Sequence, residues 1–196
     1  MDLSSEQQLE VSAPTLESSI RGLEELMVCY QQADPAAAAA LIERLSPQLY
    51  RFFAAQLGAR DEAGDMLQEA WMRIHRVRHT YRAGEPLLPW VYAIARRVRV
   101  DSYRKRRRIA VRERIVEPLP EPAVVKDEAG DLPSFEQLVQ DLPASQREVL
   151  TLLKVNGLSL EEVARATSSS VGSVKQKAHR AYDRLRTLLS AQRTTK

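Results

Sequence analysis

Residues 142–189 read LPASQREVLTLLKVNGLSLEEVARATSSSVGSVKQKAHRAYDRLRTLL, and this stretch predicts three consecutive helices. Apolar residues give the first helix a buried face, and Gly157 can end it because glycine readily adopts the left-handed conformation found after many helices. Ser159 and Glu162 have the spacing of a capping box, which predicts a short second helix. After the turn TSSS, Ser170 can cap a longer third helix. The pattern predicts a helix-turn-helix unit.

The third helix presents polar side chains opposite its apolar stripe, as an element that enters the major groove of DNA requires. Glutamine can read an adenine edge, and lysine or arginine can contact guanine or phosphate. The candidate DNA contacts are Ser170, Ser173, Lys175, Gln176, Lys177, His179 and Arg180. An ordinary three-helix bundle with a solvated polar face is the alternative interpretation.

A second stretch, PWVYAIARRVRVDSYRKRRR at residues 89–108, combines an apolar stripe with aromatic and cationic side chains. On a helix, Val91, Ile94, Ala95 and Val98 lie together and would face a protein core. Cations at helical spacing can follow phosphates, and aromatic rings offer stacking surfaces for unpaired bases. The candidate nucleic-acid contacts are Trp90, Tyr92, Arg96, Arg97, Arg99, Tyr103, Arg104 and Arg106. Among them, a tryptophan that starts a helix more often belongs to the core.

Positive charge is concentrated in these two stretches, although the net charge of the chain is only +3. Residues 96–114 contain ten Lys/Arg against two acids, and residues 170–196 contain seven against one. The first 34 residues are acidic, with seven acids against one arginine. Two local basic patches favour a nucleic-acid partner, with two solvated helix faces as the alternative.

The chain of 196 residues is predicted to be all-α, with two small helical domains. It has only seven glycines and many good helix formers. The predicted segments are a disordered extension at residues 1–19, a helical bundle at 20–110, an acidic, proline-containing flexible linker at 111–134 and the helix-turn-helix domain at 135–191. Within the bundle, Asp34 and Pro35 can start one helix, which Pro47 should kink or split.

Other features argue against membrane, secreted and enzymatic classes. Cys29 is the single cysteine, which excludes an internal disulfide and fits a reducing cytoplasm. No apolar run approaches the roughly 18 residues of a membrane span, and the start MDLSSEQQLE is unlike a secretory signal. His75 and His79 have a zinc-compatible spacing, but no third ligand is evident, which favours two exposed histidines. We therefore expect a cytoplasmic protein that is not an enzyme, without a metal or cofactor.

The stretch at residues 142–181 resembles the C-terminal DNA-binding domain of bacterial RNA polymerase sigma factors of the extracytoplasmic-function class. Residues 49–81, followed by residues 89–108, resemble the helical domain of the same family. The resemblance covers about residues 20–190, with both domains in the family's order. It implies that the second basic stretch binds the −10 promoter element and takes part in promoter melting, and that the helix-turn-helix binds the −35 element.

The resemblance also implies a docking segment for core RNA polymerase in DMLQEAW at residues 65–71. The family docks this segment on the clamp helices of the largest polymerase subunit, so the candidate contacts are Asp65, Gln68, Glu69 and Met72. In the alternative interpretation, these acids favour a helix N-terminus and Glu69 pairs with Arg73. The implied partners are core polymerase, promoter DNA and an anti-sigma factor.

Three residues depart from the family pattern. Ser168 stands where glycine is usual, Ser169 where an aliphatic residue is common, and Arg97 where asparagine is frequent. Arg97 is therefore expected to contact phosphate rather than read a base. In the family, the loop that corresponds to residues 79–89 holds a flipped −10 base. The family's linker runs toward the active-site cleft of the polymerase, with a passive spacer as the alternative for residues 111–134.

Two further functions compete with a sigma factor. A conventional helix-turn-helix repressor or activator would bind duplex DNA tightly by itself, whereas a sigma factor would bind promoters poorly until core polymerase is present. A sigma mimic that only sequesters an anti-sigma factor is disfavoured by the intact basic faces. The sigma-factor interpretation also carries a structural expectation, namely two separately folded lobes whose arginines face outward.

Overall fold

The structure is a computed structural model that describes residues 22–57, 60–113 and 135–194. In these ranges the chain forms eight α-helices and no strand, which confirms the all-α prediction. The helices are α1 (Leu23–Gln31), α2 (Pro35–Leu57), α3 (Arg60–Val77), α4 (Leu87–Glu113), α5 (Phe135–Gln140), α6 (Ala144–Leu150), α7 (Leu160–Ala166) and α8 (Val171–Thr194). The predicted extension at 1–19 and residues 114–134 of the predicted linker lie outside the described residues.

Helices α1 to α4 form an N-terminal unit around a core of aromatic and aliphatic side chains. Phe52 packs edge-on against Phe53 and Tyr92, with ring centroids 5.4 and 5.5 Å apart. A short 3-10 turn at Arg78–Thr80 follows α3 and leads into the connection to α4. None of the helices within the described ranges is both long and apolar enough to cross a membrane.

Helix α2 begins as its sequence predicts. The Asp34 carboxylate accepts hydrogen bonds from the backbone N–H groups of Ala36 and Ala37, at 2.9 and 3.2 Å. Of the kink or split predicted at Pro47, the split is wrong, because the helix runs from Pro35 to Leu57 without a break. Pro47 itself is exposed, whereas Leu45 and Leu49 on either side are buried. Packing of both halves on one core offsets the backbone hydrogen bond that a proline removes.

Helix α4 begins at Leu87, three residues before the start expected from sequence. Its first backbone N–H donates to Oε1 of Glu24 in α1, at 3.1 Å. A free N–H at a helix start needs a partner, and a carboxylate there also interacts favourably with the helix dipole. Glu24 therefore fixes the origin of the basic helix from a distant part of the chain.

Helices α5 to α8 form a C-terminal unit. Several of its helices begin or end where the sequence predicts. Ser159 and Glu162 make the predicted capping box, with hydrogen bonds of 2.8 and 3.2 Å. Gly157 has a φ of +69°, and Ser170 Oγ accepts a hydrogen bond from the backbone N–H of Ser173 at 3.2 Å. A π-helical turn at Thr151–Val155 continues α6. The helix-turn-helix unit is thereby formed by α7 and α8.

The two units pack against each other. Helix α7 lies on α4, while α5 and α6 contact α2. Ala55 of α2 is buried in one apolar cluster with Val139, Leu142 and Leu150 of the C-terminal unit. The short helices of the C-terminal unit complete their apolar burial against the N-terminal unit. The predicted domain boundaries themselves stay a prediction.

Candidate nucleic-acid interface

The predicted polar face of α8 is accessible. Ser170, Lys175, Gln176, His179 and Arg180 are exposed, and Ser173 and Lys177 are half-buried. On the opposite side, Val174, Ala178 and Ala181 are buried and hold the helix on the C-terminal unit. This arrangement leaves the polar side chains of the first three turns of α8 free to approach a DNA groove.

One acidic residue near this face was missed by sequence reasoning. His179 Nδ1 lies 2.8 Å from Asp183 Oδ2, and Arg186 Nη1 lies 3.3 Å from the other oxygen. The signal for both pairs was the spacing of three and four residues along the helix. Asp183 therefore offsets part of the positive charge in the middle of α8.

The distal half of α4 also presents an open basic face. Arg97 and Arg104 are exposed, and neither pairs with an acid within the described part of the chain. Tyr103 is the most exposed large aromatic among the described residues, at 59%. Arg106 forms an ion pair with Glu62 of α3. These residues keep the combination of cations and an aromatic surface that contact with an unpaired strand requires.

Tyr92 was assigned to this face, and the structure contradicts that assignment. The side chain is only 1% exposed and packs on Phe52 in the core. Burial raises the pKa of the Tyr92 hydroxyl, which has no hydrogen-bond partner among the described residues. Trp90 is half-buried and packs edge-on against Tyr81, at 5.7 Å between ring centroids. Neither aromatic residue lies on the open part of α4.

Arg96 and Arg99 both pair with an acid of the C-terminal unit. Arg96 Nε lies 3.3 Å from the carboxylate of Glu148 in α6, and Arg99 Nη2 lies 3.0 Å from its Oε1. Glu148 is only 4% exposed. Sequence reasoning did not identify Glu148, although an acid directly before the apolar run that begins at Val149 was an available signal. The expectation that all arginines of α4 face outward is therefore wrong for Arg99, whereas Arg96 keeps 40% of its side chain exposed.

A cleft of about 300 Å³ lies directly before α4. Tyr81, Pro86 and Trp90 contribute its apolar walls. Arg165 of α7 also lines the cleft and forms an ion pair with Glu85, at 3.7 Å. The cleft coincides with the loop at residues 79–89, for which the sequence resemblance implies a flipped base.

The candidate docking surface on α3 is partly engaged within the protein. Asp65 and Gln68 are exposed, and Met72 is 47% exposed. Arg73 Nε lies 3.1 Å from Glu69, and Arg73 Nη1 lies 2.6 Å from Asp101 of α4. These hydrogen bonds, the one to Asp101 first, raise the pKa of Arg73. The alternative interpretation of Glu69 as the partner of Arg73 is therefore observed.

His75 and His79 are both exposed, as the sequence indicates. The Tyr30 hydroxyl and His75 Nδ1 lie 2.7 Å apart as a hydrogen-bonded pair. In the ranges that the structure covers, no group of three or more His, Cys, Asp or Glu side chains is placed to hold a metal ion.

Comparison with known families identifies both units. The family model for sigma-70 region 2 matches residues 41–109, which span the open face of α4 and the docking candidates of α3. The family model for sigma-70 region 4 matches residues 133–185, which include the helix-turn-helix. The two matches occur in the same order as the two helical units.

Similar curated proteins cover most of the chain. The ECF RNA polymerase sigma factor SigD of Mycobacterium tuberculosis is 32% identical over 192 residues, which cover 91% of this chain and 88% of that protein. The RNA polymerase sigma factor CarQ of Myxococcus xanthus is 32% identical over 154 residues, which cover 76% of this chain and 87% of that protein.

Similar solved structures include two complexes. One contains the sigma factor RpoE with the anti-sigma factor NepR from Bartonella quintana, with a TM-score of 0.64 and 27% identity over 76% of this chain and 94% of that chain. The other contains CnrH with the cytosolic domain of CnrY, with a TM-score of 0.66 and 20% identity over 86% of this chain and 97% of that chain. The second similarity concerns the fold alone.

Proposed function

Because this chain belongs to the extracytoplasmic-function group of RNA polymerase sigma factors, we propose that its two basic helices divide promoter recognition between them. Helix α8 binds the −35 element as duplex, and the distal half of α4 binds the −10 element during promoter melting. The carrying observation is that both helices present open cationic faces, on two units that match the family's two regions in order.

Recognition of the −35 element follows from the exposed residues of α8. Gln176 can form two hydrogen bonds with an adenine edge, whereas Lys175, Lys177 and Arg180 supply phosphate or guanine contacts. Ser170 and Ser173 lie at the N-terminus of α8, where free backbone N–H groups favour a phosphate. His179 is exposed beside them and completes the candidate set.

Recognition of the −10 element rests on a smaller set of residues than the sequence indicates. Tyr103 can stack on an unpaired base, while Arg97 and Arg104 can contact the phosphates of the DNA backbone. Arg106 can also contact a phosphate once its ion pair with Glu62 is broken. Capture of unpaired bases favours the open form of the promoter, because closed duplex offers no such surface. Arg96 and Arg99 join this face only when they are released from Glu148.

Docking on core polymerase is assigned to the outer face of α3. Asp65, Gln68 and Met72 are accessible there, and Glu69 forms an ion pair with Arg73. An acidic and amphipathic helix face fits a cationic helical surface on the polymerase. The protein then contributes promoter specificity and no catalytic step of its own, and it works in the cytoplasm beside its polymerase.

An anti-sigma factor is the proposed regulator of this chain. The support is the similarity to RpoE, whose solved structure is a complex with the anti-sigma factor NepR. Affinity capture of the tagged chain from its native cells should recover a partner that stops transcription by this sigma factor when it is added to the purified system. Normal initiation in the presence of every captured partner would contradict this regulation.

The main test is run-off transcription with purified core polymerase and a pool of genomic promoter fragments. The expected result is a set of promoter-selective transcripts that require this chain and disappear when Lys175 and Gln176 are both replaced by alanine. Absence of any selective transcript would exclude the sigma-factor function. Equally tight promoter binding by the free chain and by the polymerase complex would instead support a conventional repressor or activator.

A further inference from the structure

The basic part of α4 contains one acid. From Arg96 to Arg108 the helix carries eight Lys/Arg side chains, and Asp101 is the only acid among them. Asp101 follows Arg97 by four residues and precedes Arg104 by three, so it shares their side of the helix. Its side chain is 45% exposed. An uncompensated acid at this place would repel a phosphate that approaches either arginine.

An arginine from the neighbouring helix is bound to this acid. Arg73 of α3 donates from Nη1 to Asp101 Oδ2 at 2.6 Å. Its Nε donates to Oε1 of Glu69 at 3.1 Å, one turn earlier on the same helix. Only 26% of the Arg73 side chain is exposed, so the guanidinium is held between its two partners rather than extended into solvent. The charge of Asp101 is thereby compensated from α3, by a residue outside the candidate DNA surface.

The partner of Asp101 decides how much positive charge α4 keeps available. Oppositely charged side chains three or four residues apart on a helix attract each other. Without Arg73, Asp101 would pair with Arg97 or Arg104 on its own helix and would occupy that arginine. In the structure both arginines are exposed, and no acid of the described ranges pairs with either. The contact with Arg73 explains how α4 keeps two available cations on either side of an acid.

A tie that holds α3 on α4 is the alternative interpretation of the same ion pair. The two helices already share a buried apolar cluster, which includes Ile74 of α3 and Val98 of α4. A partly exposed ion pair adds little to such packing, because water and salt screen its charges. Its larger effect is on the charge that the surface of α4 presents to a nucleic acid.

We propose that Arg73 is a positioning residue for promoter melting, which keeps Asp101 paired and so leaves Arg97 and Arg104 available to DNA phosphates. The proposal rests on the function assigned above, because the charge of this face matters only if α4 binds the −10 element. Arg73 does not contact the DNA itself. It acts through Asp101, and Glu69 fixes the orientation of its guanidinium group.

The test uses charge-matched variants of the full chain, each assembled with core polymerase. Arg73→Met removes the partner of Asp101. Arg76→Met removes the same charge from an exposed position of the same helix and serves as its control. Each of the two substitutions is also combined with Asp101→Asn, which removes the acid.

The measured quantity is the affinity of the polymerase complex for a selected promoter fragment whose −10 element is kept unpaired by mismatches. Affinity is recorded at several salt concentrations, with enough of the chain to saturate the polymerase. The slope of log affinity against log salt then reports the phosphate contacts, at about 0.7 for each contact with a single strand. Thermal unfolding of each variant reports any loss of stability separately.

Arg73→Met should weaken binding about three- to tenfold and reduce the slope by about 0.7, because Asp101 then occupies one arginine. Adding Asp101→Asn should return the affinity to within about twofold of the parent chain and restore the slope. Arg76→Met should change the slope by less than about 0.3, and Asp101→Asn should add nothing to it.

Three results would overturn the proposal. Equal effects of Arg73→Met and Arg76→Met would show that Arg73 has no special role. Rescue by Asp101→Asn in both backgrounds would show that the total charge alone sets the affinity. A loss in Arg73→Met that Asp101→Asn does not rescue would assign Arg73 to the tie between α3 and α4.

Asp101→Asn alone covers the case in which Arg73→Met does not fold by circular dichroism. Because Arg73 already compensates the acid, this substitution should leave the slope within about 0.3 of the parent value. A larger increase would overturn the proposal, since Asp101 would then act on the DNA in spite of Arg73.

Run-off transcription by the parent chain separates this proposal from the function on which it rests. Selective transcripts together with any of the contradicting results refute the role of Arg73 alone. Absence of any selective transcript refutes the assigned function, and the role of Arg73 in melting with it.

Discussion

Ser168 lies in the turn of the helix-turn-helix with a φ of +51°, a backbone conformation that glycine adopts at much lower cost. The chain therefore adopts a left-handed backbone conformation in this turn without a glycine. We expect Ser168→Gly to raise the free energy of unfolding by about 0.5–1 kcal/mol, as the midpoint of urea denaturation would measure. Ser145→Gly, at an exposed helical position, should lower it by about 1 kcal/mol. Destabilisation by both substitutions would contradict this explanation.

Tyr92 and Tyr103 lie on the same helix but should respond differently to substitution. Tyr92→Phe removes a buried hydroxyl that has no partner within the described residues, so stability and promoter opening should both be retained. Tyr103→Ala removes an exposed stacking surface and should weaken open-complex formation by about 1–3 kcal/mol without affecting the fold. Permanganate footprinting of the open promoter and thermal unfolding would distinguish the two effects.

At the scale of elements, the start of α4 depends on a carboxylate from α1. Glu24→Ala removes the acceptor for the Leu87 N–H and should lower the free energy of unfolding by about 1 kcal/mol. Glu25→Ala, at the exposed neighbouring position, serves as the control and should change it by less than about 0.5 kcal/mol. Equal effects in chemical denaturation would show that the cap contributes no specific stability.

Helix α8 combines base reading with backbone contact, and two substitutions should separate these roles. Gln176→Ala should relax preference at one −35 base pair by about 1–3 kcal/mol, because only base-edge contacts carry sequence information. Lys175→Ala should weaken binding to all −35 variants alike and reduce the slope of affinity against salt by about one phosphate contact. Polymerase-complex affinities for a set of singly substituted −35 elements would test this division.

Local sequence signals were sufficient for several helix ends. Asp34, Ser159 and Ser170 cap their helices as predicted, because capping depends on residues within one turn. The cap that Glu24 provides was not predictable, since its partner Leu87 is distant in sequence and is reached only through tertiary packing.

The buried face of α4 was underestimated for a related physical reason. On a helical wheel, Tyr92 and Arg99 fall on the solvent-facing side of α4, because the apolar stripe of this helix covers only a narrow arc of its surface. In the structure, Tyr92 packs on Phe52 of the N-terminal core and Arg99 is largely covered by Glu148 of α6, so the covered arc of α4 includes both residues. Sequence gives the composition of a helix face, but the number of neighbours on that face is a property of the whole fold.

At the scale of the whole molecule, polymerase docking and promoter melting should be separable. Asp65→Asn alters the exposed face of α3 and should weaken binding to core polymerase about tenfold, with little effect on melting once the complex has formed. Arg104→Ala should weaken promoter melting with little effect on binding to core polymerase, because it removes a contact between α4 and a DNA phosphate. Pull-down with core polymerase and single-round transcription at saturating protein would measure the two steps. Loss of polymerase binding by Arg104→Ala would reassign that face.

Helix α2 has a consequence for work with parts of this chain. Its C-terminal turns carry Ala55 and the carbonyl of Gln56, which in the intact protein are covered by the other half of the molecule. A fragment that stops before residue 114 would expose this surface of α2 to water and would tend to self-associate. Separately produced halves should therefore dissolve better when mixed than when kept apart.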